Sequence, residues 1–234
     1  MASRKLTTSI AAAAAALAIG GGSYAIASAA SGSAPASAPA SASSPASGPR
    51  ASGGASNARS GPAAGGTEGT VSSMSPSGFT VTTSADQKVT ITEAPATTYQ
   101  EGTSPASASV IANGEPVLVL GTTENTAIAA TQVIVHPAAP AAATAAQVVP
   151  FQRGTAATSR QAGQIPASYS QGSGTIVGGT AAGKAAEAAL TAYPGGIVDR
   201  VVQLSNGEYE VHNIGVNWPH HIFVNKQFNV IGAN

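Results

Sequence analysis

Hydrophobic and polar residues alternate with a period near two between residues 67 and 135. Thr70–Met74, Phe79–Thr83 and Lys88–Thr92 are short β-rich runs. Ser75-Pro76-Ser77-Gly78 and Ser84-Ala85-Asp86-Gln87 lie between them and read as turns. Val117–Leu120 is a continuous apolar run, and the stretch from Ala127 closes with Thr131-Gln132-Val133-Ile134-Val135. Five such strands in so short a region predict a small barrel or a tightly curled sheet. The pattern changes after residue 180. Thr180 is placed to cap a helix over Ala181–Ala192, and Tyr193-Pro194-Gly195-Gly196 stops it. Ile197–Leu204 reads as a strand, and Asn206-Gly207 offers the left-handed residues of a tight hairpin. Glu208–His212 alternates, with Tyr209 and Val211 on one face and Glu208, Glu210 and His212 on the other. His220–Val224 and Gln227–Ile231 complete an antiparallel meander that turns near Asn225-Lys226. One helix on a three- to four-stranded antiparallel sheet makes an α+β module.

Two stretches lack any such pattern. Residues 31–66 are nearly all Ala, Ser, Pro and Gly. They have no large side chains to offset the entropy of ordering, so a disordered linker is expected. Its Pro content makes it a semi-extended spacer, fit for a tether or for a passive tail. Residues 137–179 repeat this composition, with Val148, Val149 and Phe151 as a lone large apolar cluster, and read as a second linker. The expected layout is multi-domain with disorder: segments 1–30, 31–66, 67–136, 137–179 and 180–234.

Residues 1–30 read as an export signal. Arg4 and Lys5 precede an apolar stretch from Ile10 to Ile19, and Gly20-Gly21-Gly22 interrupts it. Small residues then fit cleavage after Ala27 or Ala29. An uncleaved membrane anchor is the competing reading, since Leu6–Ala30 is long enough to span. Both place the chain outside the cytoplasm, secreted or membrane-anchored in a bacterial envelope.

Charge and composition narrow the function. Of 234 residues only 9% are charged and 4% aromatic, with ten basic against ten acidic side chains. Residues 68–135 carry Glu68, Asp86, Glu93, Glu101, Glu115 and Glu124 against Lys88 alone. An acidic barrel with few aromatics lacks both the basic groove and the stacking platforms of a nucleic-acid binder. The chain has no Cys, which excludes disulfides, thiolate metal sites and thiol lipidation.

Two resemblances follow from particular residues. Gly69-Thr70-Val71, Phe79-Thr80-Val81, Val89-Thr90-Ile91, Thr98-Tyr99, Gly114–Val117 and Ala130–Val135 resemble a group of bacterial extracytoplasmic domains of unknown function with small OB-like barrels. Ala185–Leu190, Tyr193-Pro194-Gly195, Ile197-Val198, Asn206–His212 and Phe223–Val230 resemble the PepSY domain family. The second resemblance departs at Asn213–Pro219, where Ile214, Val216 and Trp218 replace a short polar turn. It implies a role in binding or inhibiting peptidases, and it carries no catalytic residues.

Candidate chemistry is sparse. Gly178–Lys184 spells G-x-x-x-x-G-K, but Ala185 follows where a phosphate-binding loop needs Ser or Thr. No nucleophile–base set and no paired carboxylates stand out, so no enzyme and no cofactor are expected. His136 stands alone before Pro137. His212 and His221 fall on adjacent strands with Glu210 near them, a set able to hold zinc if the register makes them converge; solvent-exposed or packing histidines are the plainer reading. Trp218 either closes the core or anchors a partner, and with His220 and Tyr209 it is the expected interaction site. The function expected from the sequence is a non-catalytic protein-interaction module acting on a partner in the cell envelope, such as an extracytoplasmic peptidase. The alternatives are an envelope spacer and a module that binds a small molecule or metal.

Overall fold

The computed structural model describes residues 61–139, 142–156 and 158–234. The expected export signal, its cleavage after Ala27 or Ala29, and nearly all of the first linker lie outside the described residues. No helix among the described residues is long and apolar enough to cross a membrane.

The first half forms seven strands: β1 (Ala63–Ser75), β2 (Gly78–Thr82), β3 (Lys88–Thr92), β4 (Thr98–Glu101), β5 (Ser104–Ala106), β6 (Pro116–Glu124) and β7 (Ala127–Val135). Five of them close on themselves in the order β1-β2-β3-β7-β6 and back to β1. All pairs in this ring are antiparallel except β3 with β7. The small barrel expected from the alternating pattern is present. Val71, Phe79, Val81, Val89, Ile91, Val117, Val119, Ile128, Val133 and Val135 fill its interior. Alternation along each strand sends these side chains inward together. β4 pairs in parallel with β7 at Gln132–Val135, on the edge that β3 occupies at Ala127–Ala129, and β5 pairs with β4. These two additions are short and mostly exposed, so hydrophobic spacing gives no sign of them.

The second half begins with one helical turn, α1 (Ala142–Ala145), and the short strands β8 (Val149–Pro150), β9 (Ala162–Gly163) and β10 (Thr175–Val177). There follow α2 (Gly179–Ala192), β11 (Ile197–Gln203), β12 (Tyr209–Ile214), β13 (Val216–Trp218), β14 (His221–Val224) and β15 (Val230–Ala233). β10, β11, β12, β14, β15 and β9 lie side by side, all antiparallel. The helix starts at Gly179 rather than at Ala181, and no side chain caps it, so Thr180 lies within its first turn. Its buried face is Ala182, Ala185, Ala186, Ala189 and Leu190, the spacing of one helical stripe. Small alanines let the helix axis approach the sheet closely. The hairpin after β11 is also looser than expected. Gly207 alone takes a left-handed conformation, with φ of 83°, and Leu204 N–H donates to the Glu208 carbonyl at 2.8 Å. This is a three-residue loop with glycine at its left-handed position.

The two halves were expected as separate domains on a flexible linker, and the structure joins them. β1 pairs with β6 and, at Gly66 and Thr67, with β11, so one strand belongs to both sheets. The physical reason lies in the apolar run of β6. Val117 and Val119 point into the barrel, while Leu118 and Leu120 point outward with Ile134 into the core beneath α2. A strand apolar on both faces has to be covered on both. Ile197 of β11 returns the contact by entering the barrel core.

The reading of 137–179 as a free linker is corrected from Val149 onward. β8 pairs with β13, β9 with β15, and β10 with β11. The segment is poor in apolar side chains, but exposed strand edges offer backbone donors and acceptors to any composition.

Candidate functional site

The candidate site is a cluster of three imidazoles on β12 and β14. Pairing places His212 directly opposite His221, and on the other side Arg200 of β11 directly opposite His212. Directly paired residues share a face. Glu210, two residues before His212, shares it too. The β11–β12 register shifts between Val198 and Arg200, which makes Asp199 the extra residue of a bulge. A bulge re-aims a side chain, and here it brings Asp199 to the same histidine that faces Arg200.

The hydrogen bonds are short and paired. Asp199 Oδ1 lies 2.6 Å from His212 Nδ1, and Glu210 Oε1 lies 2.7 Å from His221 Nδ1. In each pair the ring N–H donates to the carboxylate, so Nε2 is the nitrogen left to meet a further group. Arg200 Nη1 approaches His212 Nδ1 at 3.0 Å and Asp199 Oδ1 at 3.6 Å. Glu210 is 1% exposed, and its Oε2 is buried without a hydrogen-bond partner.

His220 completes the group. It precedes β14, and its backbone is held on both sides: its carbonyl accepts from Asn213 N–H at 2.8 Å, and its N–H donates to the Asn234 carbonyl at 2.8 Å. Its ring sits 4.4 Å from the ring of His212 and 5.0 Å from that of His221, centroid to centroid. One ring nitrogen from each histidine lies within 4.8 Å of the other two. Desolvation, followed by the neighbouring His212 and His221, pushes the His220 imidazole down to about 4. Its ring is therefore neutral at pH 7.

A roof covers this face. Tyr169 stacks edge-on against Phe223 at 4.7 Å and tilts against His221 at 5.6 Å. Burial, then the Glu210 carboxylate, pushes its phenol up to about 12. The segment between β9 and β10 covers this sheet face, because β9 and β10 are tied to its opposite edges.

The expected site residues fare unevenly. His212, His221 and Glu210 come together on one face. His136 instead pairs with Glu115 at 3.0 Å and stands outside the cluster. Trp218 is 1% exposed; its Nε1 donates to the Arg160 carbonyl at 2.8 Å, the Arg160 guanidinium lies 4.3 Å over its ring, and Tyr193 meets it edge-on. Tyr209 is buried against Phe228. Neither presents a surface to a partner, whereas His220 is exposed. The sequence reading missed His220 as a possible ligand. Neighbours within a strand face opposite ways, which argues against a His-His doublet converging, but His220 lies just outside β14 and escapes that rule. Asp199, Arg200 and Tyr169 were missed as well, since a bulge and a docked coil leave no periodic signal. Lys184, the end of the G-x-x-x-x-G-K run, lies on α2 with its ammonium 5.6 Å from the Phe228 ring.

Comparison with protein-family models, with curated proteins and with solved structures finds no match to this chain.

Proposed function

We propose that the chain is a metal-binding module that holds a divalent transition ion, zinc or one of its neighbours, on His212, His220 and His221. The observation that carries this reading is the convergence of three imidazole nitrogens within 4.8 Å. Imidazole donors suit zinc, copper and nickel rather than calcium or magnesium. A tetrahedral ion with bonds of about 2.0–2.1 Å would set the nitrogens about 3.4 Å apart. The rings close slightly on loading, and the exposed His220 is the one with room to move. Asp199 and Glu210 stand behind His212 and His221 as carboxylates commonly stand behind metal-bound histidines. The unpartnered Glu210 Oε2 is buried negative charge that a cation offsets.

Zinc titration of the full chain by calorimetry tests this. One ion per chain is expected, with His220→Ala losing most of the affinity while circular dichroism stays unchanged. Equal zinc binding by wild type and His220→Ala would remove the proposal. Asp199→Asn and Glu210→Gln should each weaken zinc binding by about 10- to 100-fold, the usual effect of losing the carboxylate behind a ligating histidine. Undiminished affinity in both would reduce those carboxylates to structural partners.

A second reading is a PepSY-like protein-interaction module on an OB-like barrel, directed at an envelope peptidase. In its favour is the order of α2, β11, β12, β14 and β15, a helix followed by an antiparallel meander. The closed ring of five strands supports the OB-like description of the barrel. The burial of Trp218 and Tyr209 takes away two of its three expected contact residues. Export from the cytoplasm goes with either reading and rests on residues 1–30. A pull-down from envelope extract with the full chain, with and without zinc, separates the two. A peptidase captured equally in both conditions, and by His220→Ala, favours the interaction module.

A further inference from the structure

The three-histidine cluster raises the question of what completes the coordination of an ion held there. Structural zinc sites close with four protein ligands, whereas three leave a position open. The described residues bring three histidines together and no fourth ligating side chain within the same reach. Asp199 and Glu210 are the nearest alternatives, but their Oδ1 and Oε1 are engaged with Nδ1 of His212 and His221. A group bonded at Nδ1 lies across the imidazole ring from an ion on Nε2, so neither carboxylate holds its histidine and reaches that ion together.

The surroundings indicate which kind of ligand fits. The side chains of His212 and His221 are only 11% and 12% exposed, and Tyr169 packs on the His221 side. His220 is exposed, so its side faces water. Among the described residues, the charges close to the cluster are Asp199, Glu210 and Arg200. Two carboxylates against one guanidinium leave one negative charge. A divalent ion turns that into one positive charge, and a single anion then brings the neighbourhood to neutrality. Partly desolvated charge is costly unless compensated, so the balance favours an anionic ligand over a neutral one.

Resting on the metal-binding reading, we infer that the ion on His212, His220 and His221 keeps one exchangeable position on the His220 side and binds a small monovalent anion there. The class is that of single-donor anions, such as azide, cyanate or a simple carboxylate.

Cobalt(II) in place of zinc makes this visible, because its d–d absorption reports coordination. The full chain is loaded with cobalt and titrated with sodium azide at constant ionic strength. A saturable change in the visible spectrum, fitting one azide per cobalt, is expected. A cobalt spectrum that forms and ignores azide overturns the exchangeable position while leaving the metal site intact. Failure of cobalt to bind at all defeats the metal-binding reading itself. The charge argument has its own check at saturating cobalt. Arg200→Gln should weaken azide several-fold, and Glu210→Gln should tighten it. Shifts of the same sign in both variants, or none in either, would overturn the role given to local charge.

Discussion

Trp218→Ala is expected to lower the unfolding free energy by about 3–5 kcal/mol, the range for truncating a buried Trp. Trp218 is among the largest fully buried side chains in the structure. Its ring touches Tyr193 at the end of α2 and lies under the Arg160 guanidinium. It thus joins three parts of the chain: the helix, the coil between β8 and β9, and β13. Truncation opens a cavity between them and leaves the Arg160 carbonyl without its indole donor. It also loosens the β8–β13 pair, where Trp218 lies opposite Val149. Trp218→Phe retains most of the volume and loses the hydrogen bond, so it should cost clearly less. Urea unfolding followed by circular dichroism measures both. A midpoint for Trp218→Ala equal to that of wild type would show that this ring is not part of the cooperative core.

Trp218 also shows what the sequence reveals and what it withholds. Its burial is consistent with the surplus of apolar residues at Ile214, Val216 and Trp218, and that surplus is legible. What it packs against is not. Arg160 comes from a stretch of Ala, Gln, Ser and Gly whose composition predicts no order. That stretch docks through backbone pairing at β8, β9 and β10, and backbone pairing leaves no mark on composition. The barrel was readable because β2 and β3 are short strands of alternating pattern with turns between them. The fusion of the halves was indicated by Val117–Leu120, a run too continuous for a strand with one wet face. At the site, register decides everything. His212, Glu210 and His221 were recognisable as candidates, but only the observed pairing of His212 with His221 makes them neighbours. Asp199 joins them through a bulge that no residue in the sequence announces.

Gly65→Ala is expected to cost about 3 kcal/mol or more, the upper end for overpacking, since the obstruction is backbone rather than a movable side chain. At Gly66 and Thr67, next to Gly65, strand β1 runs between β6 and β11, and this is where the barrel meets the C-terminal sheet. A Cβ on Gly65 would stand 2.0 Å from the Val198 carbonyl oxygen and 2.7 Å from Thr123 Oγ1. Val198 cannot yield easily. Its own side chain is fully buried beneath α2, and its Cα partner across the strands is Gly66. The buried Thr67 hydroxyl, which donates to the Gly196 carbonyl at 3.0 Å, fixes the same junction from the other end. The added methyl must therefore part β1 from β11 and strain both cores at once. Gly183→Ala is the matched control. It makes the same chemical change inside α2, where an added Cβ meets nothing within 4 Å. Ala is the better helix former, so that variant should gain about 0.5–1 kcal/mol. Denaturant unfolding of the two proteins side by side should thus show shifts of opposite sign. If Gly65→Ala unfolds within about 0.5 kcal/mol of wild type, the scatter of a neutral surface substitution, then β1 does not bind the two sheets into one body.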